Sequence, residues 1–214
     1  MLGRMSSAAE KVDQRRLRGR ATRDQILDAA REVLREAGYG GATMRAVADA
    51  AGVRLSLVHY HFGGKRRLFA ELLEHENAQL LVRQRALFAG DEPLAEKWLR
   101  ACKYLRDDLR SGYVRVLWEL WSAGLAEPEL AERWRAAVLD WIDLLDGVAA
   151  DWAAERELDL PVSSRVLATA VAQLFLGAEV QILGGLKEKQ VPNFEALELC
   201  AQLIGAAERR AQGR

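Results

Sequence analysis

Cysteine is nearly absent. Cys102 and Cys200 stand far apart, and their spacing builds neither a metal site nor a disulfide framework. Two buried free thiols in a reducing compartment are expected. Histidine is as scarce, at His59, His61 and His75. His59 and His61 are two residues apart, so on a helix their side chains point about 200° apart and do not chelate one metal. The chain holds no HExxH, no Gly-x-Ser-x-Gly, no phosphate-binding glycine loop and no GxGxxG. No cofactor, metal or catalytic constellation is therefore expected, and the chain does not read as an enzyme. No uninterrupted apolar run approaches the ~18 residues of a membrane span. Residues 1–20 are polar and basic, without the apolar centre of a signal peptide. A cytoplasmic protein without membrane attachment is expected. Period-two segments are missing too, so no strand is expected.

Net charge is also missing, with 31 basic and 31 acidic residues. The zero hides a split. Residues 1–67 hold 14 Lys and Arg against 7 Asp and Glu, a net +7, and the remainder carries −7. A basic end on an acidic body suits an end that meets phosphate and a body that does not.

What is present is helical pattern. From Thr22 to Ala37, Ile26, Leu27, Ala30, Val33, Leu34 and Ala37 form one amphipathic stripe that Gly38 closes. Thr43 is an N-cap, and Met44, Val47, Ala48 and Ala51 share one face of a short helix. Gly52 ends that helix, and a second short helix over about 54–61 buries Val58 and Phe62. Two short helices joined by a glycine turn make a helix-turn-helix unit, whose second helix enters the DNA major groove. Later helices are predicted from about 64 to 88, 91 to 111, 113 to 124, 128 to 157, 163 to 183 and 194 to 210. The fold class is all-α, with a three-helix DNA-binding end, a C-terminal helical bundle and about nine helices. Residues 1–21 read as a disordered basic arm, 22–66 as the helix-turn-helix domain and 67–214 as the bundle. The arm is either a solvated tail or a contact to the neighbouring groove and phosphates.

Residues 23–69 resemble the DNA-binding domain of the TetR family of bacterial transcriptional regulators. The resemblance rests on Ile26-Leu27-Asp28-Ala29-Ala30, Ala37-Gly38-Tyr39, Thr43-Met44-Arg45, Val47-Ala48, Ala51-Gly52-Val53, Tyr60-His61-Phe62, and Lys65 with Leu68. The chain departs from the family pattern at Arg54, Ser56 and His59, and carries apolar Leu55 and Leu57 where polar base readers are common. The resemblance implies a double-stranded DNA operator as partner. Arg45, His61, Lys65 and the arm then hold phosphates, with Lys65 at a helix N-terminus, and Thr43 is a further candidate DNA contact. Leu55, Ser56, Leu57, His59 and Tyr60 face bases, and Arg54 reaches a guanine or a phosphate.

Relatives of this kind sense a small molecule in the C-terminal bundle and pair through their last two long helices. All six tryptophans lie at Trp98 or beyond. Tyr104, Trp118, Trp121, Trp141 and Phe175 are the candidate effector-pocket residues, suited to a largely apolar molecule. Val171, Leu174, Ile182, Leu197 and Ile204 are the candidate homodimer contacts. The implied function is that of a repressor released from a near-palindromic operator by its effector.

Overall fold

The computed structural model describes the backbone of residues 3–212 and the side chains of Gln14 and of 16–211. Every regular element among them is a helix: α1 (Gly3–Gly41), α2 (Met44–Ala50), α3 (Leu55–Phe62), α4 (Lys65–Phe88), α5 (Leu94–Ser111), α6 (Tyr113–Gly124), α7 (Pro128–Glu155), α8 (Ser164–Leu183) and α9 (Asn193–Gln212). The starts and stops are local chemistry. Thr43 and Ser163 accept hydrogen bonds from Ala46 N and Val166 N, as N-caps do. Gly38, at φ 65, breaks α1 before its last turn. A Cβ there would meet the Glu119 carboxylate at 3.1 Å, so both backbone and space call for glycine.

The expected arm differs from the structure. Residues 3–21 continue α1 as helix, while residues 1 and 2 lie outside the described residues. The segment has no proline and is rich in Ala, Glu, Lys, Gln and Arg, which favour helix. Thr22 is not a start signal. Its hydroxyl donates to the Arg18 carbonyl at 2.9 Å, a mid-helix arrangement.

The chain forms two compact units. One runs through Leu73 and includes Glu119–Ala131; the other holds Glu74–Trp118 and the residues from Glu132 on. The first therefore takes in a piece of α6 and α7 that the sequence reading assigns to the body. In it, α1 packs on α2 and α2 on α3. Ile26, Leu27, Leu34, Val47, Val58, Phe62, Leu68, Phe69, Leu120 and Leu130 are fully buried. Burial of Leu120 and Leu130 is what draws the later segment in.

In the second unit α5 packs on α9, and α8 on α9. Its core joins Leu87, Trp98, Cys102, Leu105, Val114, Phe175, Leu197 and Ala201. The Trp98 indole donates to the Leu197 carbonyl at 2.7 Å. Buried Glu208 accepts from the Leu94 N–H at 3.0 Å, satisfying a free donor at the start of α5. Leu197 is thus a residue of the protomer's own core, not of a shared surface. It is 2% exposed, whereas Leu199 and Leu203 on another face of α9 are 50% and 63% exposed. Of the other candidate contacts, Leu174 is exposed and Val171, Ile182 and Ile204 are half-buried. Among the described residues, α8 alone is long and apolar enough to cross a membrane, at mean hydropathy 1.7, and 22% of that stretch is buried. Thr169, Gln173 and Glu179 interrupt it, so no uninterrupted run reveals it in the sequence.

Candidate nucleic-acid interface and sensor core

The helix-turn-helix is locked from within. The Val53 N–H reaches back to the Ala48 carbonyl at 3.0 Å around Gly52, whose φ is 63. The Gln25 side chain from α1 donates to the Ala51 carbonyl at 2.7 Å and pins the same turn. Arg54 is the N-cap of α3, yet its side chain makes no capping bond. Its guanidinium is exposed and available. Val58 and Phe62, one turn apart, carry the buried face of α3.

The opposite face is presented to solvent. Ser56, His59 and Tyr60 are exposed, and Leu55, Leu57 and His61 are half-buried. Tyr60 is 80% exposed, a large aromatic surface left for a partner. His59 is partly committed. Its Nδ1 lies 3.1 Å from the Gly63 carbonyl, so Nδ1–H donates there. Thr43 and Arg45, at the start of α2, are exposed as well. The structure therefore brings nine of the ten candidate DNA residues to accessible or half-accessible positions on α2, α3 and the turn between them.

Lys65 is the exception in kind. Its ammonium donates to the Tyr39 carbonyl and lies 4.4 Å from the centre of the Tyr39 ring. It is a strut between α4 and the end of α1. Tyr39 is held from every side. Its N–H donates to Glu119 at 3.0 Å, its hydroxyl to Glu127 at 2.9 Å, and its ring meets Phe69 edge-on at 5.4 Å. Burial, with Glu127 beside it, pushes the phenol well above the ordinary tyrosine range. Arg23 adds a second strut, paired with Glu71 and placed 5.3 Å over the Phe62 ring. Sequence reasoning found Tyr39 only as part of Ala37-Gly38-Tyr39. Its partners lie 80 and 88 residues away, beyond any local signal.

In the second unit, Tyr104, Trp118 and Trp141 pack against one core that includes Phe175. Trp121 belongs to the segment 119–131 of the first unit. The sequence reading missed Trp134, whose ring lies 5.9 Å from that of Trp118, and Glu179, which accepts the Trp118 indole N–H at 2.9 Å. Cys102 is fully buried, and burial pushes its thiol up to about 11; Cys200 is half-buried and also raised. Burial thus disfavours the thiolate at both positions.

Residues 26–72 match the sequence model of the family described as bacterial regulatory proteins, tetR family. The chain is 30% identical over 121 residues to the HTH-type transcriptional repressor AcnR of Corynebacterium efficiens, covering 56% of this chain and 60% of that one. It is 30% identical over 120 residues to the HTH-type transcriptional regulator BetI of Stenotrophomonas maltophilia, covering 53% and 60%. This chain thus spans about three fifths of the length of these relatives, 60% in each case. Among solved structures it is similar to a TetR transcription regulator from Haloarcula marismortui, with TM-score 0.72, 18% identity and coverage of 87% and 97%. It is also similar to the regulator FadR of Bacillus subtilis in complex with stearoyl-CoA, with TM-score 0.64, 20% identity and coverage of 84% and 96%. At these identities the likeness is one of fold.

Proposed function

Because residues 26–72 place this chain in the TetR family of bacterial regulatory proteins, we propose that it is a DNA-binding transcriptional repressor, released from its operator by a small molecule. The observation that carries the reading is α3: Val58 and Phe62 anchor it while Arg54, Ser56, His59 and Tyr60 stand outward. A short helix with one buried edge and one accessible, mixed polar and aromatic face fits the major groove. Arg45, Arg54 and His61 add phosphate contacts, which give register and salt dependence. Lys65 acts through its neighbours, by holding Tyr39.

The protein works as a two-fold homodimer in the cytoplasm. The exposed apolar stripe of α8, with Val166, Leu174 and Val180, and Leu199 and Leu203 of α9 support a second copy as the cover. Two α3 helices about 34–36 Å apart then meet successive major grooves of a near-palindromic site. The effector occupies the aromatic core of the second unit, around Trp118, Trp141 and Phe175. FadR, of the same fold, is described with stearoyl-CoA, which supports a ligand-responsive body in general. Moving such a balance from 1:99 to 99:1 takes about 5.5 kcal/mol of preference for one state. Selecting bound sequences from a random DNA pool tests the reading. A palindromic consensus is expected; retention of DNA without sequence enrichment would sink it.

A further inference from the structure

The chemistry of the effector can be read further, on the premise that the second unit is the sensor. Phe175 and Glu179 lie four residues apart on α8, one above the other on a single face. Trp141 meets Phe175 nearly perpendicularly at 5.9 Å. Trp118, from α6, donates its indole N–H to Glu179 and lies 5.9 Å from Trp134. Trp134 and Trp141 are seven apart on α7, two turns along one face. Three helices therefore bring three indoles and a phenyl ring to the neighbourhood of one carboxylate.

Two groups in this patch lack a counterpart. Glu179 pairs with no Lys, Arg or His among the described residues. Arg83 is committed to Asp108 through two hydrogen bonds, one of 2.8 Å. Burial lifts the Glu179 carboxyl to about 7, opposed by the Trp118 bond and helped by the charge of Asp108. Yet Glu179 is not sealed; it keeps intermediate solvent exposure. The second group is the Trp141 indole N–H, which is buried and has no acceptor. An indole nitrogen only donates, and buried donors without partners are rare.

An anion is repelled by Glu179, and a plain hydrocarbon leaves both groups unanswered. A cation is drawn by the carboxylate and by the aromatic rings together. We propose that the effector is an organic cation, a quaternary or protonated amine on an apolar body, bound between Glu179 and the indoles of Trp118, Trp134 and Trp141. A hydrogen-bond acceptor on that body answers the Trp141 N–H.

Calorimetry on the full chain without DNA tests this. The probes are benzyltrimethylammonium, its uncharged twin neopentylbenzene, phenacyltrimethylammonium, dodecyltrimethylammonium and stearoyl-CoA. The benzyl cation is expected to bind at least about tenfold more tightly than neopentylbenzene. Glu179→Gln, which keeps an acceptor for Trp118, should remove that advantage and leave the uncharged twin unchanged. The phenacyl cation carries a carbonyl, and its gain over the benzyl cation should vanish in Trp141→Phe. Should Glu179→Gln unfold the chain, Trp134→Leu offers the same comparison, with the cations losing more affinity than neopentylbenzene. Cations no tighter than neopentylbenzene, or cation affinities indifferent to Glu179→Gln, would overturn the proposal. Cations that bind without changing operator affinity keep this site and overturn its role as effector site. Release of operator by stearoyl-CoA, with no cation bound, keeps the sensor reading and overturns the cation.

Discussion

The hydroxyl of Tyr39 donates to the carboxylate of Glu127 at 2.9 Å, across 88 residues of sequence. With Glu119 on its N–H and Lys65 on its carbonyl, Tyr39 ties the end of α1 to α4, α6 and the turn that leads into α7 inside one unit. Tyr39→Phe removes only the hydroxyl and should destabilise that unit by about 1–2 kcal/mol, since a half-buried carboxylate loses its donor. Lys65→Gln should cost a similar amount. If Lys65 were instead a phosphate contact, the slope of log K against log salt would fall by about one. The expected result is an unchanged slope with a lowered melting temperature, read from operator titrations at several salt concentrations and from thermal denaturation.

Tyr60 bears on specificity. At 80% exposure it contributes little to its own fold, so Tyr60→Ala should leave the melting temperature near that of the unaltered protein. Specific binding should weaken by about 1–3 kcal/mol while binding to random DNA changes little. Equal loss on both DNAs, measured by fluorescence anisotropy, would remove Tyr60 from base reading.

Glu179 gives a pH signature. Its carboxyl titrates near 7 in the folded chain, against an ordinary value of 4.5. The folded state therefore holds the proton more tightly than the unfolded chain. The stability from this group is full below pH 4.5, falls as the pH rises from 4.5 to 7, and stays low above that. Glu179→Gln, which cannot ionise, should be more stable than the unaltered chain at pH 8 by about 3 kcal/mol. The difference should shrink toward pH 5. Denaturant titrations at several pH values measure it, and parallel pH profiles for the two proteins would contradict it.

Two leucines of α9 separate folding from association. Leu203 is 63% exposed, and Leu203→Glu should leave the protomer folded but shift sedimentation from dimer to monomer. Leu197, 2% exposed, lies in the core, so Leu197→Ala should cost about 2–5 kcal/mol of stability. A dimer that survives Leu203→Glu at micromolar concentration would move the interface elsewhere.

The boundaries of the helices were legible because their punctuation is local. Thr43, Gly52, Gly112, Pro128 and Ser163 each act within a few residues, and the helices begin and end beside them. The exposed and buried faces of α3 followed from the same short-range periodicity, with Val58 and Phe62 in and Tyr60 out. What the sequence hid depends on distant partners. Lys65 sits where a helix start invites phosphate, and only the folded chain shows its ammonium turned onto Tyr39. Trp121 and Trp118 are three residues apart on α6, yet they belong to different units. The face of α9 was ambiguous because apolar residues ring much of the helix. The sequence assigns Leu197 to the shared surface, whereas the fold leaves it 2% exposed and Trp98 bonds its carbonyl.

The bond from the Leu94 N–H to Glu208 spans 114 residues, and the one from Trp98 to Leu197 spans 99. Both tie the start of α5 to α9. During translation, α1 to α3 leave the ribosome with most of their mutual contacts at hand, whereas α5 waits for α9. The second unit closes only after residue 208 has emerged, so its aromatic core spends much of synthesis uncovered. Stalled nascent chains released at increasing lengths should acquire protease resistance in α2 and α3 early, and in α5 only once Glu208 is outside the tunnel.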